Sequence, residues 1–382
     1  MKTSVKRALD LNLLLKDKSY FLLGPRQPGK SYLIREQLPH IKKYDLLLKE
    51  DFRKLSFNPS AIREELTSKD KFIVIDEIQK LPDLLDEIQY LIENKGIHFL
   101  MTGSSARKLS QKGINTLGGR ARVQYFHPLT YWELKSKFKI EKMINWGLLP
   151  GIYFSDDPKA DLDSYVSIYL QHEIANEGLV RNLSSFSRFL EVAATCHAEQ
   201  INYTSVSNET QVARTTIHDY FQVLKDTLVG HEVSVWGESK KRKPVATSKF
   251  YFFDWGLAKN LMGYENIQTK SPLFGKAFES MLFQELLAWT SYHRLKPPQY
   301  WRTQDQREVD FIINEEIAVE VKGKPNLTIK DLDGLIALKE EKKLKKYYLV
   351  YTGKEIRQFE QAKGIEILPY QMFLDALWTH QL

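Results

Sequence analysis

The stretch FLLGPRQPGKSYLI, residues 21–34, places the tightest constraint on the fold. Gly24-x-x-x-x-Gly29-Lys30-Ser31 has the spacing of a phosphate-binding loop. Such a loop leaves a buried strand, opens a helix, and turns backbone N–H groups toward phosphate oxygens. SYFLL (19–23) reads as the strand and KSYLIREQL (30–38) as the helix. The two glycines allow the tight turn and the close approach to phosphate. Lys30 is expected at the terminal phosphates of ATP and Ser31 at Mg²⁺. Gly24, Arg26, Gln27, Gly29 and Tyr32 complete the expected nucleotide-binding set. Pro25 and Pro28 cut against this reading, because proline has no N–H to offer. Pro25 stands at the loop entry, away from the main phosphate donors. At Pro28, one missing N–H to a charged acceptor costs about 1.5–3 kcal/mol. That is roughly tenfold to a hundredfold in affinity, offset in part by the stiffness of proline. A weakened but working site is the expectation.

Through residue 140, short apolar runs alternate with helical patterns. KYDLLL (43–48), KFIVID (71–76) and IHFLMTG (97–103) read as strands. NPSAIREEL (58–66), capped by Asn58, and LLDEIQYLIEN (84–94) read as helices. The alternation predicts an α/β fold, a parallel sheet with helices on both faces. FIVIDEIQ delivers Asp76 and Glu77 to the C-terminal end of their strand, where such sheets bind ligands. Asp76 is expected to hold Mg²⁺, and Glu77 to orient or deprotonate the attacking water. Capping of the next segment is the plainer role for both, disfavoured by the loop motif nearby. Thr102 and Ser104 suit either sensing of the terminal phosphate or helix capping at Ser104 or Ser105. Arg120 and Arg122 suit either a phosphate across a subunit boundary or an ordinary surface ion pair.

The chain has 382 residues, 43% of them hydrophobic and 27% charged, which suits a globular protein of several domains. The reading divides it into an ATPase domain (1–140), a helical connector (141–200), a winged helix-turn-helix (201–262) and a further α/β domain (263–382). Cys196 is the single cysteine, so no internal disulfide forms and a reducing, cytoplasmic setting is expected. No apolar run approaches membrane-spanning length, so no membrane partner is expected. The histidines show no ligand spacing, and one cysteine cannot build a zinc site.

Residues 204–236 suit a helix-turn-helix. Thr204 or Ser205 caps a first helix, Asn208 to Ala213 form the turn, and Arg214 to Lys225 form a second helix. Ile217, Phe221 and Leu224 share its inner face. Arg214, Thr215, Thr216, His218 and Asp219 fall near the exposed N-terminal half, where a recognition helix contacts DNA. Two strands then flank a basic tip of Lys240, Lys241, Arg242 and Lys243. Such a wing makes phosphate contacts, which give affinity without reading sequence. Winged helices also serve as protein–protein modules, and that alternative stays open.

WRTQDQREVDFIINEEIAVEVKGK (301–324) contains a third constellation. A three-residue loop pairs Ile313 with Ile317, which sets Asp310 opposite Glu320, with Lys322 on the same face. Opposed carboxylates repel unless a cation sits between them. Mg²⁺ suits that position, with Asp310 and Glu320 as metal ligands and Lys322 orienting water or stabilising the phosphate. Glu279, on the helix GKAFESMLFQEL, adds a carboxylate. Asp310 followed by Glu320-x-Lys322 resembles the PD-(D/E)xK nuclease core, with Val309 where a proline is usual. Active cleavage and an inactive binding core both remain open.

Taken in order, GPRQPGKS, FIVIDEIQKLPD, FLMTGSSA and GGRARVQYFHPLTYWEL resemble a prokaryotic AAA-type ATPase family with a C-terminal domain long catalogued as of unknown function. The resemblance spans essentially the whole chain. It implies a P-loop fold, ATP with Mg²⁺, and an assembly of identical copies in which a neighbour completes the site. The family's loops often carry threonine where this chain has Pro28. The resulting expectation is an ATPase whose nucleotide state is coupled to a DNA-directed module, with Mg²⁺-dependent nuclease activity as an open reading of that module. The alternative is a nucleotide-switched regulator or scaffold with an inactive nuclease-like domain.

Overall fold

The computed structural model describes residues 5–104, 117–170, 180, 182–237 and 247–382. They divide into two compact units, one of Lys6–Pro128 with Asp226–Val229, the other built mainly from Leu129–Lys225 and Gly230–Leu382. The first unit thus ends at Pro128. The cause is visible in the second unit. There the buried carboxylate of Glu285 accepts the Tyr131 N–H at 2.7 Å and the Trp132 N–H at 3.2 Å, which ties helix Tyr131–Leu134 into that unit.

The first unit is a five-stranded parallel sheet in the order β2-β3-β4-β1-β5. The strands are β1 Ser19–Leu23, β2 Lys42–Asp45, β3 Phe72–Asp76, β4 His98–Gly103 and β5 Ala121–Tyr125. Tyr20 pairs with Leu100 and Arg122, and Asp76 with Asp45. β1 is buried at every position, and β3 and β4 at all but the first, as strands covered on both faces require. Helices Lys30–Gln37 and Leu84–Lys95 fall where the periodicity predicts. Between β2 and β3 the sequence reading needs correction. β2 stops at Asp45, and KEDFRKLSF forms an unforeseen helix, Lys49–Phe57. Asn58 closes that helix rather than opening the next, and only one turn, Ala61–Glu64, follows. The residue before a proline avoids helical backbone, and Asn58 is accordingly extended, with φ −137° and ψ 86°, ahead of Pro59.

The second unit begins with short helices, among them Ile140–Trp146 and Pro158–Ser164, and continues to helix Leu183–Thr195. Helices Tyr203–Thr210 and Arg214–Asp226 follow, then a small antiparallel sheet in the order β6-β8-β7. Its strands are β6 Glu199–Gln200, β7 Gly230–Val233 and β8 Lys249–Phe252. The cap of the first of these two helices is Asn202, whose side chain accepts from the N–H groups of Thr204 and Ser205, rather than either of those residues. The helix also runs to Thr210, and the turn shortens to Gln211–Ala213, with Gln211 left-handed at φ 56°.

Helix Leu273–Tyr292 then packs on a mixed five-stranded sheet, ordered β13-β12-β11-β10-β9. Its strands are β9 Gln299–Arg302, β10 Glu308–Ile313, β11 Ile317–Lys322, β12 Lys346–Tyr351 and β13 Glu366–Pro369. Ile313 pairs with Ile317 and Phe311 with Val319, the register counted from the three-residue loop. The β9 side shifts register between Val309 and Ile312, so strict alternation fails there and Val309 and Ile312 join one core cluster. No helix among the described residues is long and apolar enough to cross a membrane.

Candidate functional site

The loop between β1 and helix Lys30–Gln37 takes its shape from two glycines. A Cβ on Gly24 would lie 2.4 Å from the Phe126 carbonyl oxygen, so no larger residue fits where the loop leaves the sheet. Gly29 has φ 101°, which L side chains rarely adopt. Lys30 is buried and donates to the carbonyls of Gly24 at 2.7 Å and Pro25 at 2.8 Å. Burial lowers its ammonium to about 8, against the opposing pull of Glu77 and Asp76.

The strand ends deliver the rest of the group. Ser31 Oγ donates to Asp76 Oδ2 at 3.2 Å, and Thr102 Oγ1 donates to Asp76 Oδ1. Thr102 Oγ1 also accepts the Glu77 N–H at 3.0 Å. Glu77 is left-handed, φ 61° and ψ 46°, an unfavourable conformation for a non-glycine residue. Its carboxylate accepts from Gln79, which reaches Ser104 Oγ at 3.2 Å. A serine hydroxyl beside an aspartate carboxylate is a donor set that suits Mg²⁺. Arg26 and Tyr32 are partly buried and Gln27 is exposed, with φ 62°. Capping at Ser105 lies outside the described residues.

Arg120 and Arg122 fall elsewhere. Arg120 precedes β5, whose first residue, Ala121, pairs with Ser19 at the opposite end of β1 from the loop. The five residues of β1 put about 16 Å between them. Arg120 ion-pairs with Glu93, and Arg122 Nη1 approaches the Tyr20 hydroxyl at 3.4 Å. Neither arginine belongs to the phosphate loop of its own chain.

Two residues of this site escape the sequence reading. Arg7 is buried and donates to Pro28 O at 2.6 Å, His127 O at 2.7 Å and Pro128 O at 3.1 Å. Its guanidinium also lies 4.1 Å from the centre of the Phe126 ring. It clasps the loop to the end of β5, and nothing near residue 7 in the sequence signals this. Lys43 Nζ contacts Asp76 Oδ2 at 2.6 Å and Asp45 Oδ2 at 3.3 Å. Burial alone would lower the Lys43 ammonium, but Asp76 and Asp45 outweigh it and hold it above its usual range.

The second unit gathers Glu279, Asp310, Glu320 and Lys322, with Asp310 and Glu320 buried. Asp310 Oδ2 accepts the Val321 N–H at 2.8 Å, and Lys322 Nζ meets Glu320 Oε1 at 2.5 Å. Beside these carboxylates lies an ammonium that the sequence reading missed. Lys249 Nζ touches Glu308, and stands 3.4 Å from Glu279 Oε1 and 3.8 Å from Asp310 Oδ1. Tyr251 OH donates to Glu279 Oε1 at 2.6 Å. Burial pushes Glu279 up to about 7 and Glu320 up to about 8, in opposition to Lys249 and Lys322 respectively. Burial would lower Lys249, but the surrounding anionic groups hold it well above the usual range. Among the described residues, no three His, Cys, Asp or Glu side chains are arranged to hold a metal ion. A Mg²⁺ at Asp310 and Glu320 would share those carboxylates with Lys249 and Lys322.

On helix Arg214–Asp226, Ile217, Phe221 and Leu224 are buried, while Arg214, Thr215, His218 and Asp219 are exposed and Thr216 is half-buried. His218 stacks on Tyr203, with ring centres 3.6 Å apart. Lys240, Lys241, Arg242 and Lys243 lie outside the described residues.

Comparison with known proteins gives three matches along the chain. Residues 16–135 match an AAA domain. Residues 137–268 and 274–373 match two domains of unknown function, DUF8612 and DUF4143. An uncharacterized protein of Mycobacterium tuberculosis is 27% identical over 317 residues, 80% of this chain and 68% of its own length. An uncharacterized protein of Methanocaldococcus jannaschii is 23% identical, covering 74% of this chain and 69% of its own. Among solved structures, the Aeropyrum pernix Orc1 protein in complex with DNA aligns with 68% of this chain and 93% of its own, at 16% identity and a TM-score of 0.28. A STAND protein with a tetratricopeptide repeat sensor from Pyrococcus horikoshii covers 77% of this chain and 50% of its own, at 13% identity and a TM-score of 0.27. At such scores the structural likenesses carry nothing further. The AAA-domain match, with Lys30, Ser31 and Asp76 at one end of a parallel sheet, supports a nucleotide-binding ATPase in the first part of the chain.

Proposed function

We propose that this chain is a Mg²⁺-dependent ATPase whose nucleotide state governs a DNA-directed C-terminal module. The observation that carries the ATPase reading is the connected group Ser31–Asp76–Thr102–Glu77 beside the Lys30 loop. Ser31 and Asp76 would hold Mg²⁺, which when bound neutralises charge on the terminal phosphates. Lys30, already buried in the loop, leaves its carbonyl partners for the phosphates. Glu77 orients the attacking water and takes up its proton, and its hydrogen bond from Gln79 fixes its direction. Thr102 couples the two carboxylates, because one hydroxyl contacts both the Asp76 side chain and the Glu77 backbone. Lys43 occupies Asp76 Oδ2, so cation loading requires its displacement. Where Arg120 serves the reaction, it serves a neighbouring copy.

The DNA-directed part rests on the exposed Arg214, Thr215 and His218 of the second helix and on the basic run Lys240–Lys241–Arg242–Lys243. A winged helix-turn-helix followed by a nuclease-like core is the reading we adopt for residues 201–382. A second reading is favoured by Lys249 among the carboxylates: the core binds or regulates without cutting. One experiment separates the two. Plasmid and linear DNA are incubated with Mg²⁺ or Mn²⁺, with and without ATP, using the parent, Lys30→Ala and Glu320→Ala. Salt-sensitive DNA binding that changes with ATP in the parent, but not in Lys30→Ala, is expected. Cleavage abolished by Glu320→Ala favours the nuclease; absence of both binding and cleavage sinks the DNA-directed reading.

A further inference from the structure

We infer that Lys249 is the resident cation of the acidic centre in the second unit, and that its ammonium excludes a divalent metal from Glu279, Asp310 and Glu320. This rests on the reading of that core as nuclease-like.

Most of the carboxylate oxygens are already engaged. Asp310 Oδ2 takes the Val321 N–H, and Asp310 Oδ1 faces Lys249 Nζ at 3.8 Å. Glu279 Oε1 receives both the Tyr251 hydroxyl and the Lys249 ammonium. Glu308 divides itself between Lys249 and Arg302, whose Nη1 lies 2.9 Å from Glu308 Oε2. Glu320 Oε1 holds Lys322. Two oxygens are left: Glu320 Oε2, which is buried with no hydrogen-bond partner among the described residues, and Glu279 Oε2, which takes part in none of these contacts. They mark where a cation would be welcome, but a divalent ion there would have to compete with the Lys249 ammonium that already sits at Glu279.

Charge reaches the same result. Glu279, Glu308, Asp310 and Glu320 face Lys249, Lys322 and Arg302, so four carboxylates meet three fixed cations. A divalent ion would join a cluster already close to balance, beside a buried ammonium it repels. Lys249 is held firmly: it is 3% exposed, it begins β8, and that strand pairs with both β6 and β7. Its ammonium also lies 5.5 Å from the centre of the Tyr300 ring. The ammonium thus does at Glu279, Glu308 and Asp310 the neutralising work that a metal would otherwise do.

The test is Mn²⁺ binding to the full chain, read by electron paramagnetic resonance and by the Mn²⁺-induced shift in thermal unfolding. An Asp76→Asn background removes the proposed nucleotide-site metal. In that background no Mn²⁺ site tighter than millimolar is expected, and adding Lys249→Met creates one that binds at least tenfold tighter. Adding Glu320→Gln to the Lys249→Met chain abolishes it. Mn²⁺ binding in the Asp76→Asn chain itself that Glu320→Gln abolishes overturns the inference, whether or not Lys249→Met folds. A folded Lys249→Met chain with no gain in Mn²⁺ binding also overturns it. ATP and DNA binding by the parent, measured alongside, show separately whether the wider functional reading stands.

Discussion

Replacing Arg7 with methionine keeps much of the side-chain volume but removes the clasp on the phosphate loop. Three carbonyls lose a charged donor at 2.6, 2.7 and 3.1 Å. A hydrogen bond from a charged group contributes about 1.5–3 kcal/mol. The three share one guanidinium and are not additive, so the total loss is about 3–5 kcal/mol. For a unit of this size that lowers the unfolding midpoint by roughly 10–20 °C. Pro28 is one of the three acceptors, so the loop must then be ordered by the nucleotide itself. Ordering of this kind costs about 0.5–1.5 kcal/mol, or roughly two- to tenfold in ATP affinity. Arg7→Lys keeps the charge without the planar fork and is expected to fall between methionine and the parent. Thermal unfolding and ATP titration of the three proteins provide the assay. An Arg7→Met chain that unfolds at the parent's midpoint and binds ATP with the parent's Kd refutes the clasp.

Three further outcomes are expected. Pro28→Thr restores an N–H and tightens ATP binding by roughly ten- to a hundredfold; calorimetry showing equal or weaker binding contradicts this. Glu77→Gln keeps ATP binding within about threefold and lowers turnover at least a hundredfold, measured as phosphate release; unchanged turnover removes Glu77 from the chemistry. Burial pushes Glu285 up to about 7 from 4.5, despite N–H donors from Tyr131, Trp132 and Trp378. The folded state then holds the proton more tightly than the unfolded one, so Glu285 makes the second unit less stable as pH rises from about 4.5 to about 7. Glu285→Gln flattens that part of a urea-midpoint profile against pH, and an unaltered slope contradicts the assignment.

Local and periodic features of the chain were legible. β1, β3 and β4 read correctly because each is a continuous apolar run between a helix and a turn. The pairing of Ile313 with Ile317 followed from counting across a three-residue loop. Helix Lys49–Phe57 was missed because KEDFRKLSF is polar and buries only Leu55, which leaves little periodicity to detect. Asn58 was misread because capping preference was weighed without the constraint that Pro59 imposes on the preceding residue. Arg7 and Lys249 were out of reach for a different reason. Arg7 meets carbonyls about 20 and 120 residues away, separations at which sequence spacing carries no signal. Lys249 stands just beyond a run of four basic residues and reads as part of the wing, yet it is buried against Glu279, Glu308 and Asp310. Lys43 was missed although it shares the parity of Asp45 along β2, because the pairing of Asp45 with Asp76 is set by the sheet rather than by local spacing.

The central claim is that Lys30, Ser31 and Asp76 form a working nucleotide site despite Pro28. Titration of Mg·ATP against the parent and Lys30→Met, with each protein's fold checked by its unfolding midpoint, tests it most directly. The account predicts saturable binding of one nucleotide per chain in the parent and a loss of at least tenfold in Lys30→Met. Equal affinity in the two folded proteins, or no binding by the parent at millimolar ATP, contradicts it.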